Sequence, residues 1–547
     1  MLVQRVEADV LCVGGGIAGL MAAIRAAELG VKVVVADKGN TLHSGSGGGG
    51  NDHFLCYIPE IHGTDIKPII EAVQHSLTGG MRHIDFLRTW LEKTFDIVKL
   101  WDSWGIPMKY EGRYEFAGHA LPGQPLIHLH YSGQNQKTVL TNEARKRGVR
   151  IVNRVMVFDL LSDNGIIGAL GIDAREDKVV EFQAKSVILA TGRCVRLYPA
   201  PVPGWMFNVA YSPSSTGDGM AMAYRAGAEL ANIEIPSRWA GPRYLARCGK
   251  ATWIGVLRDP QDKPIGPFVT KPERRYGDAI SDIYPTMFED YAKSAKGPVY
   301  MDCRGISDED YGYMLHFQKH EGLTSLINHL KEEGIDPRKN PIEFGTYEII
   351  PRGGIYHDEK GETSVKGLFA AGDEAYSSSS ISMAATCGWL IGENTAKYAK
   401  EVNPPVIDRV ESKIEEGKAL LNEIRGREVG ADWKEVNVAL QQIMYDYAGS
   451  NRSGTLLEAG LSHIRRLKEK ASTTMLARNQ HELMHCLEVL DLLDVGEVLF
   501  IAANERKETR GIHVRSDYQY TNPLLDKFLI IKKVDGKHVT EWKEIRR

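Results

Sequence analysis

The sequence has no C-x-x-C pair. Its seven cysteines, at positions 12, 56, 194, 248, 303, 387 and 486, are scattered. That spacing excludes a zinc ribbon and an iron–sulfur ligand set within the chain, and it fits a reduced, cytoplasmic setting. No apolar run reaches the ~20 uninterrupted residues of a membrane span. The richest stretch, "LEVLDLLDVGEVLFIAA", carries Glu488, Asp491, Asp494 and Glu497 and reads as a buried or interface helix. Charge of one sign is also missing. A net charge of -4 and a pI near 6.5 offer nothing to nucleic acid or to an acidic membrane surface. The opening "MLVQRVEADVLCVGGG" has neither a basic n-region with an apolar h-region nor a twin arginine, and it runs straight into a strand. Internal repeats and low-complexity tracts are absent.

The composition is globular: 547 residues, 43% hydrophobic and 25% charged, with room for two to four domains. The 55 glycines exceed the ~7% average, and they cluster, which marks close backbone approaches. The strongest cluster lies in "ADVLCVGGGIAGLMAAIRAAELGVKVVVADKG". Val10–Val13 read as a buried strand, Ala18–Leu29 as a helix and Val31–Ala36 as a second strand, with Gly14, Gly16 and Gly19 forming G-x-G-x-x-G. Gly14 permits the tight turn, Gly16 lets the backbone approach a pyrophosphate, and Gly19 allows close helix–strand packing. Asp37 ends the second strand, where it would accept from a ribose hydroxyl. Together these predict a dinucleotide site in an α/β fold.

Two further strands end in glycine: "SVILATGRC" at Ala190-Thr191-Gly192, and "LFAAGD" at Gly372-Asp373. A nicotinamide domain has little need of such returns. In order come G-x-G-x-x-G, "ATG", "STGDGMAMAYRAGAEL" (Ser215–Leu230), "VKGLFAAGD" and "ERKETRGIHVRSDY" (Glu505–Tyr518). Over nearly the whole chain this resembles the fumarate reductase/succinate dehydrogenase flavoprotein superfamily. The resemblance implies FAD in a two-dinucleotide-fold domain. It also implies that Asp373 holds the ribityl chain, and that Ser379, Ser380 and Ile381 present backbone N–H groups to flavin O2 at a helix N-terminus, where negative charge is stabilised. A Ser-rich loop with plain capping serines is the competing reading. The same resemblance places Ala18, Lys38, Ser44, Gly45, Gly48, Gly49, Val155, Ala190, Thr191, Gly192, Asp218 and Gly372 around FAD. "NTLHSGSGGGGNDHF" (Asn40–Phe54) falls where the family's loop crosses the isoalloxazine. Asn51 and Asp52, with His53, would bond flavin or substrate or brace the loop. His43 lies near the position at which some members attach FAD covalently, one residue out of register.

Fumarate reductases, succinate dehydrogenases and L-aspartate oxidases share an "HPTG"-like histidine, an "HYTMGG"-like histidine and a "GANR" arginine. Here "IPSRWAGPR", "EIIPRGGIYHD" and "DEAYSSSSI" stand instead, which argues against a C4-dicarboxylate. The stretches Ile235–Trp239, "GPVYMD" (Gly297–Asp302) and Gly133–Lys137 resemble the adenylylsulfate reductase alpha-subunit branch. Arg238 maps onto that branch's active-site arginine. A histidine segment of that branch is replaced by Pro351–Gly354, and a second arginine falls on Tyr284, so the pocket is altered. Arg238, Arg352, Trp239 and Lys137 are the candidates for holding a small anion, since arginine forks suit carboxylate, sulfonate or phosphate. For Arg243 a surface ion pair is the better reading, and for His357 likewise a non-catalytic role. His128 and His130 share a strand face in "LIHLH" but make a poor metal site alone, and Trp101 and Trp104 read as helix core.

The expected layout is an FAD domain in 1–232 and 345–400, a capping domain in 235–344, a helical bundle in 405–515 and a β tail in 516–547. The cap would carry helical runs near Ser281–Ala295 and Tyr311–Glu333; the tail would be a hairpin around Asp535-Gly536. With no cluster in the chain, the resemblance implies electron exchange with a separate iron–sulfur, ferredoxin-like protein. The alternatives are adenylylsulfate reductase proper, a self-contained flavin oxidase or dehydrogenase, and a flavin electron relay.

Overall fold

The structure is a computed structural model. It describes every residue except 75–82, 119–124, 201–205, 208, 210, 244–252, 266–290, 292–293, 377–379, 406 and 547, and the backbone alone at 74, 117–118, 238–240, 347–348 and 407–408. Most of the expected run near 281–295, and Tyr284, therefore lie outside the described residues.

A seven-stranded sheet organises the molecule. Arg150–Asn153, Val33–Asp37, Leu2–Val13 and Lys178–Leu189 run parallel in that order, and Leu368–Ala370 adds parallel to the end of Lys178–Leu189. Ile166–Asp173 and Val155–Ser162 extend the sheet antiparallel. Strand side chains alternate faces. Val10, Cys12, Val33, Val35, Ile188 and Phe369 face one core, while Leu11, Val13, Val34, Val187, Leu189 and Leu368 face the other. Both faces are covered, as parallel sheets require.

The first core holds the helices Ile17–Glu28 and Ile381–Glu401, which pack backbone to backbone. A Cβ at Gly388 would lie 2.4 Å from Ala18 O, and one at Gly392 2.4 Å from Ala22 O. Trp101, fully buried, closes this core, and its Nε1 donates to Met21 Sδ at 3.3 Å; Trp104, part-buried, packs against Trp389. The second core holds the helices Trp433–Ala448, Gly454–Thr474 and Gln480–Glu505. The last of these is apolar on nearly every side, yet it carries four acids at intervals of three. Each is answered: Glu488 by Lys38 and Arg196, Asp491 by Arg225, Asp494 by Arg225 and Lys468, and Glu497 by Arg465 and Lys468. Among the described residues no helix is long and apolar enough to cross a membrane.

The cap is an antiparallel sheet of Pro236–Pro242, Ile342–Pro351, Val299–Asp302 and Val256–Arg258. The helical run expected over 311–333 is two helices, Asp308–His320 and Thr324–Glu332. The break falls at Gly322 (φ +86°), where a Cβ would lie 2.5 Å from Gly49 O. A third sheet joins Gly354–Ile355, Leu230–Ala231 and a hairpin of Lys527–Val534 with Lys537–Glu544. The hairpin turns through Asp535 and Gly536, both at positive φ, as a primed turn needs.

Candidate functional site

Three strand ends meet at one edge of the main sheet. Ala190 N donates to Val13 O (2.8 Å) and Ala371 N to Leu189 O (2.9 Å). The turns at Gly14–Gly19, Ala190–Gly192 and Gly372–Asp373 therefore lie side by side. Gly14 sits at φ +98°, and a Cβ there would stand 2.3 Å from Ala190 O; one on Gly19 would stand 1.9 Å from Gly14 O. Gly16 differs. Its backbone is extended, and a Cβ would meet only Ala190 O, at 3.9 Å. The space before the Ile17–Glu28 helix is thus open, and that helix has no side-chain cap and no acid in its first turn. Its N–H groups and positive end face outward, which suits the diphosphate of a dinucleotide. Gly372 (φ +79°) packs on Ala18, 2.7 Å from Cβ to Cβ if a side chain were added, so no larger residue fits there.

Asp37 is buried at the end of its strand. Its Oδ2 accepts from Gly15 N (2.7 Å) and Ser44 Oγ (2.9 Å), and Oδ1 accepts from Gly39 N (2.8 Å). A carboxylate offers about four acceptor sites, so one is left for a ribose hydroxyl. Lys38 and Asp218 lie beside this turn's strand end as an ion pair. The Lys38 ammonium spends its three donors on Thr216 (2.9 Å), Asp218 (2.7 Å) and Glu488 (2.8 Å). Their charged groups hold each other. Val155 is buried where its strand begins, opposite Asp173.

Two residues unread in the sequence complete this edge. Arg193, buried directly after Gly192, donates from Nε to Asp373 Oδ2 at 3.1 Å. Glu374, fully buried, accepts from Thr191 Oγ1 at 2.5 Å, while its Oε1 has no hydrogen-bond partner. Thr191 Oγ1 also accepts from Gly219 N at 3.0 Å. An orphaned oxygen beside the Gly372-Asp373 turn fits a hydroxyl-bearing cofactor chain. The one available signal was a charge immediately after each glycine turn. Burial pushes the Glu374 carboxyl up to about 8, against the pull of Thr191. The folded acid then holds its proton where the unfolded one, near 4.5, has released it, so stability falls as pH rises from about 4.5 to about 8. Glu374→Gln, a neutral mimic, should flatten that slope of roughly 3–5 kcal/mol. Melting temperature followed across this pH range, wild type against variant, checks it; parallel profiles would refute it.

The glycine loop is clasped by the cap. A Cβ at Gly48 would lie 1.9 Å from His43 O, and at Gly50 (φ +118°) 2.2 Å from His320 O. Gly45 also holds positive φ, and Gly49 lies against Gly322. Asn51 Nδ2 donates to His53 O (2.5 Å). Asp52 N donates to Glu321 Oε2 (2.9 Å), and Asp52 Oδ1 meets His53 Nδ1 at 2.5 Å. The Asp52 carboxylate thus serves His53. His43 is exposed.

At the helix that begins with Ile381, Ser380 caps: its Oγ accepts from Met383 N at 3.2 Å. Ser379 lies outside the described residues, as do the side chains of Arg238 and Trp239. The backbone at 238 pairs with Ile349 and at 239 with Glu348. Arg352 is 8% exposed, and its N donates to Ile235 O at 2.8 Å. Its neighbours fix the loop: a Cβ on Gly353 would lie 2.2 Å from Asn232 C, and one on Gly354 2.1 Å from Glu374 O. Lys137 is corrected. It is buried beneath the first glycine turn, donating to Gly15 O, and burial pushes its ammonium down to about 8. It braces the dinucleotide loop rather than lining an anion pocket. Arg243 pairs with Glu343 at 3.1 Å on the surface, and His357 is buried, its Nδ1 2.7 Å from Asp358 O.

Comparison with known proteins agrees with this geometry. The family profile described as "FAD binding domain" matches residues 9–388, and "Fumarate reductase flavoprotein C-term" matches 437–540. The fumarate reductase flavoprotein subunit of Haemophilus influenzae is 25% identical over 562 aligned positions, covering 94% of this chain and 90% of that one. L-aspartate oxidase of Yersinia pestis is 27% identical, covering 94% and 97%. Among solved structures, adenylylsulfate reductase from Archaeoglobus fulgidus superposes with a TM-score of 0.86 at 22% identity, covering 100% and 97%. E. coli quinol fumarate reductase gives 0.83 at 20% identity, covering 100% and 97%. At such identities the superpositions establish the fold. With its profile match running from the first strand into the Ile381–Glu401 helix, the chain belongs to the FAD-binding-domain family of fumarate reductase-like flavoproteins and is an FAD-dependent oxidoreductase.

Proposed function

We propose that the protein oxidises or reduces a small anion other than a C4-dicarboxylate and exchanges electrons with a separate iron–sulfur protein. The observation that carries the reading is Arg352, a buried guanidinium on the short link between the capping strand Ile342–Pro351 and residues that touch Glu374. FAD, when bound, supplies the two-electron chemistry at N5. Arg352 and Arg238 would bind the anion and set its orientation, the planar fork matching two acceptor oxygens. Trp239 would wall the pocket. The cap's hold on the glycine loop would keep water out.

Fumarate and L-aspartate, named in the relatives, are C4-dicarboxylates. Against that class stand the three stretches at Ile235–Arg243, Glu348–Asp358 and Asp373–Ile381, which lack the histidines and arginine of the superfamily's dicarboxylate enzymes. The partner reading is supported by relatives that are themselves named as subunits, and by the lack of any C-x-x-C in this chain.

Titration of the flavin spectrum with sulfite, adenylylsulfate and fumarate tests this. Sulfite or adenylylsulfate should perturb the spectrum, and Arg352→Ala should weaken that binding by roughly 10–150-fold, the worth of one charge-assisted pair of about 1.5–3 kcal/mol. Rapid fumarate turnover would end the exclusion of dicarboxylates. Dithionite-reduced protein should reoxidise slowly in air and quickly with a co-purified iron–sulfur protein; fast reoxidation in air alone would favour the oxidase reading.

A further inference from the structure

A small three-stranded sheet lies under the cap: His53–Leu55 pairs antiparallel with His128–His130, which pairs with Glu115–Gly118. The register sets His53 directly opposite His130, so the two imidazoles share one face about 5 Å apart at Cβ. The helix Asp308–His320 covers that face. Tyr313 bonds His130 Nδ1, Phe317 lies 4.2 Å from the His130 ring, and His316 lies 4.5 Å from His320. Glu321, one residue beyond the helix, reaches back to the Asp52 N–H.

Unlike most of the interior, this cluster holds several buried nitrogens with nothing to bond. His130 Nε2, His316 Nε2 and His320 Nδ1 are buried without a hydrogen-bond partner, and His130 is 1% exposed. Buried polar atoms are normally paired, so the orphaned His130 Nε2, on the strand residue opposite His53, calls for a ligand. One oxygen of Asp52, a ring nitrogen of His53 and one oxygen of Glu321 lie within 4.8 Å of one another.

We propose that this pocket binds one divalent first-row transition-metal ion, zinc or ferrous iron, through His53, Asp52 and Glu321, with His130 supplying a further imidazole. Such ions take imidazole and carboxylate together, at bond lengths of about 2.0–2.2 Å. Ligand atoms around one ion stand about 3–4 Å apart, so the trio closes by about 1 Å. The site joins the glycine loop to the cap, and it stands or falls independently of the substrate proposed above.

Chelator-treated, FAD-loaded protein titrated with zinc alone, and anaerobically with ferrous iron alone, tests the assignment. Equilibrium dialysis with elemental analysis should find one ion per chain at micromolar free metal. Glu321→Gln should weaken binding by about 100-fold at unchanged flavin content, and His53→Ala should weaken it at least as much. If His53→Ala loses flavin, the part-exposed Glu321→Gln carries the comparison, and absorption at the zinc edge of the wild type should show imidazole scattering. Substoichiometric uptake, an unaltered affinity in Glu321→Gln, or a zinc spectrum without imidazole would overturn it.

Discussion

Gly16→Asp protein should fold normally and be colourless. A side chain at Gly16 is sterically tolerated, because the backbone is extended and a Cβ meets only one atom, 3.9 Å away. The new carboxylate would stand before the uncapped N-terminus of the Ile17–Glu28 helix, where the N–H groups and positive end would welcome it. It would satisfy those groups and occupy the place of the diphosphate. Repulsion between unit charges ~4 Å apart at a surface-like dielectric is ~4 kcal/mol, or roughly 10³-fold in affinity. Far-ultraviolet dichroism and the melt of the apoprotein should match wild type while flavin absorbance vanishes. A yellow Gly16→Asp protein would refute the phosphate assignment. Gly14→Ala is a poorer test, since a Cβ there strikes Ala190 O and would damage the fold itself.

Glu488→Gln is expected to cost about 3–5 kcal/mol, the usual penalty for stranding a buried charge. Glu488 is fully buried on the Gln480–Glu505 helix. Its Oε1 takes Lys38 at 2.8 Å, and its Oε2 takes Arg196 and His485, each at 2.7 Å. Among the described residues Arg196 makes no other ion pair, and its Nε and Nη1 are buried without partners, so neutralising Glu488 leaves a cation in the core. Burial disfavours the Glu488 anion, but Lys38 and Arg196 outweigh it and hold the acid well below the usual range. The contribution is therefore complete above the ordinary glutamate value of 4.5 and is lost as pH falls through the depressed one. Chemical unfolding at pH 7 should show the loss, and the variant should be less sensitive to acid than wild type. Lys38 follows Asp37 directly, so the change should also loosen FAD. An unfolding midpoint within error of wild type would show that the pair is solvated.

Much of this was readable in the chain. The strand–glycine pattern needs only period-two apolar residues and a positive-φ turn, both local, so Gly14–Gly19, Ala190–Gly192 and Gly372 were found and fall at one edge. The four C-terminal helical runs were legible for the same reason. What escaped depends on contacts across long separations. Glu374 reaches Thr191 over 183 residues, and Glu321 reaches Asp52 over 269. Lys137 was drawn to the substrate by a neighbouring motif, but the fold turns it to Gly15 O. The run through 311–333 has helical periodicity throughout, and only the approach of Gly49 explains why Gly322 breaks it. His128 and His130 looked like a bare pair because their potential co-ligands lie on other strands and on the cap.

The hairpin strand Lys527–Val534 bonds to Leu230–Ala231, and Leu529 N donates to Asn232 Oδ1 across 297 residues. A ribosome adding roughly 5–20 residues per second needs about 15–60 s to make that interval. Early in it, the nascent first half has its phosphate turn but lacks the Gly372 turn, and throughout it lacks the hairpin that pins Asn232. Coenzyme capture therefore waits for late synthesis, and truncated products of stalled translation should emerge pale and be cleared by proteases.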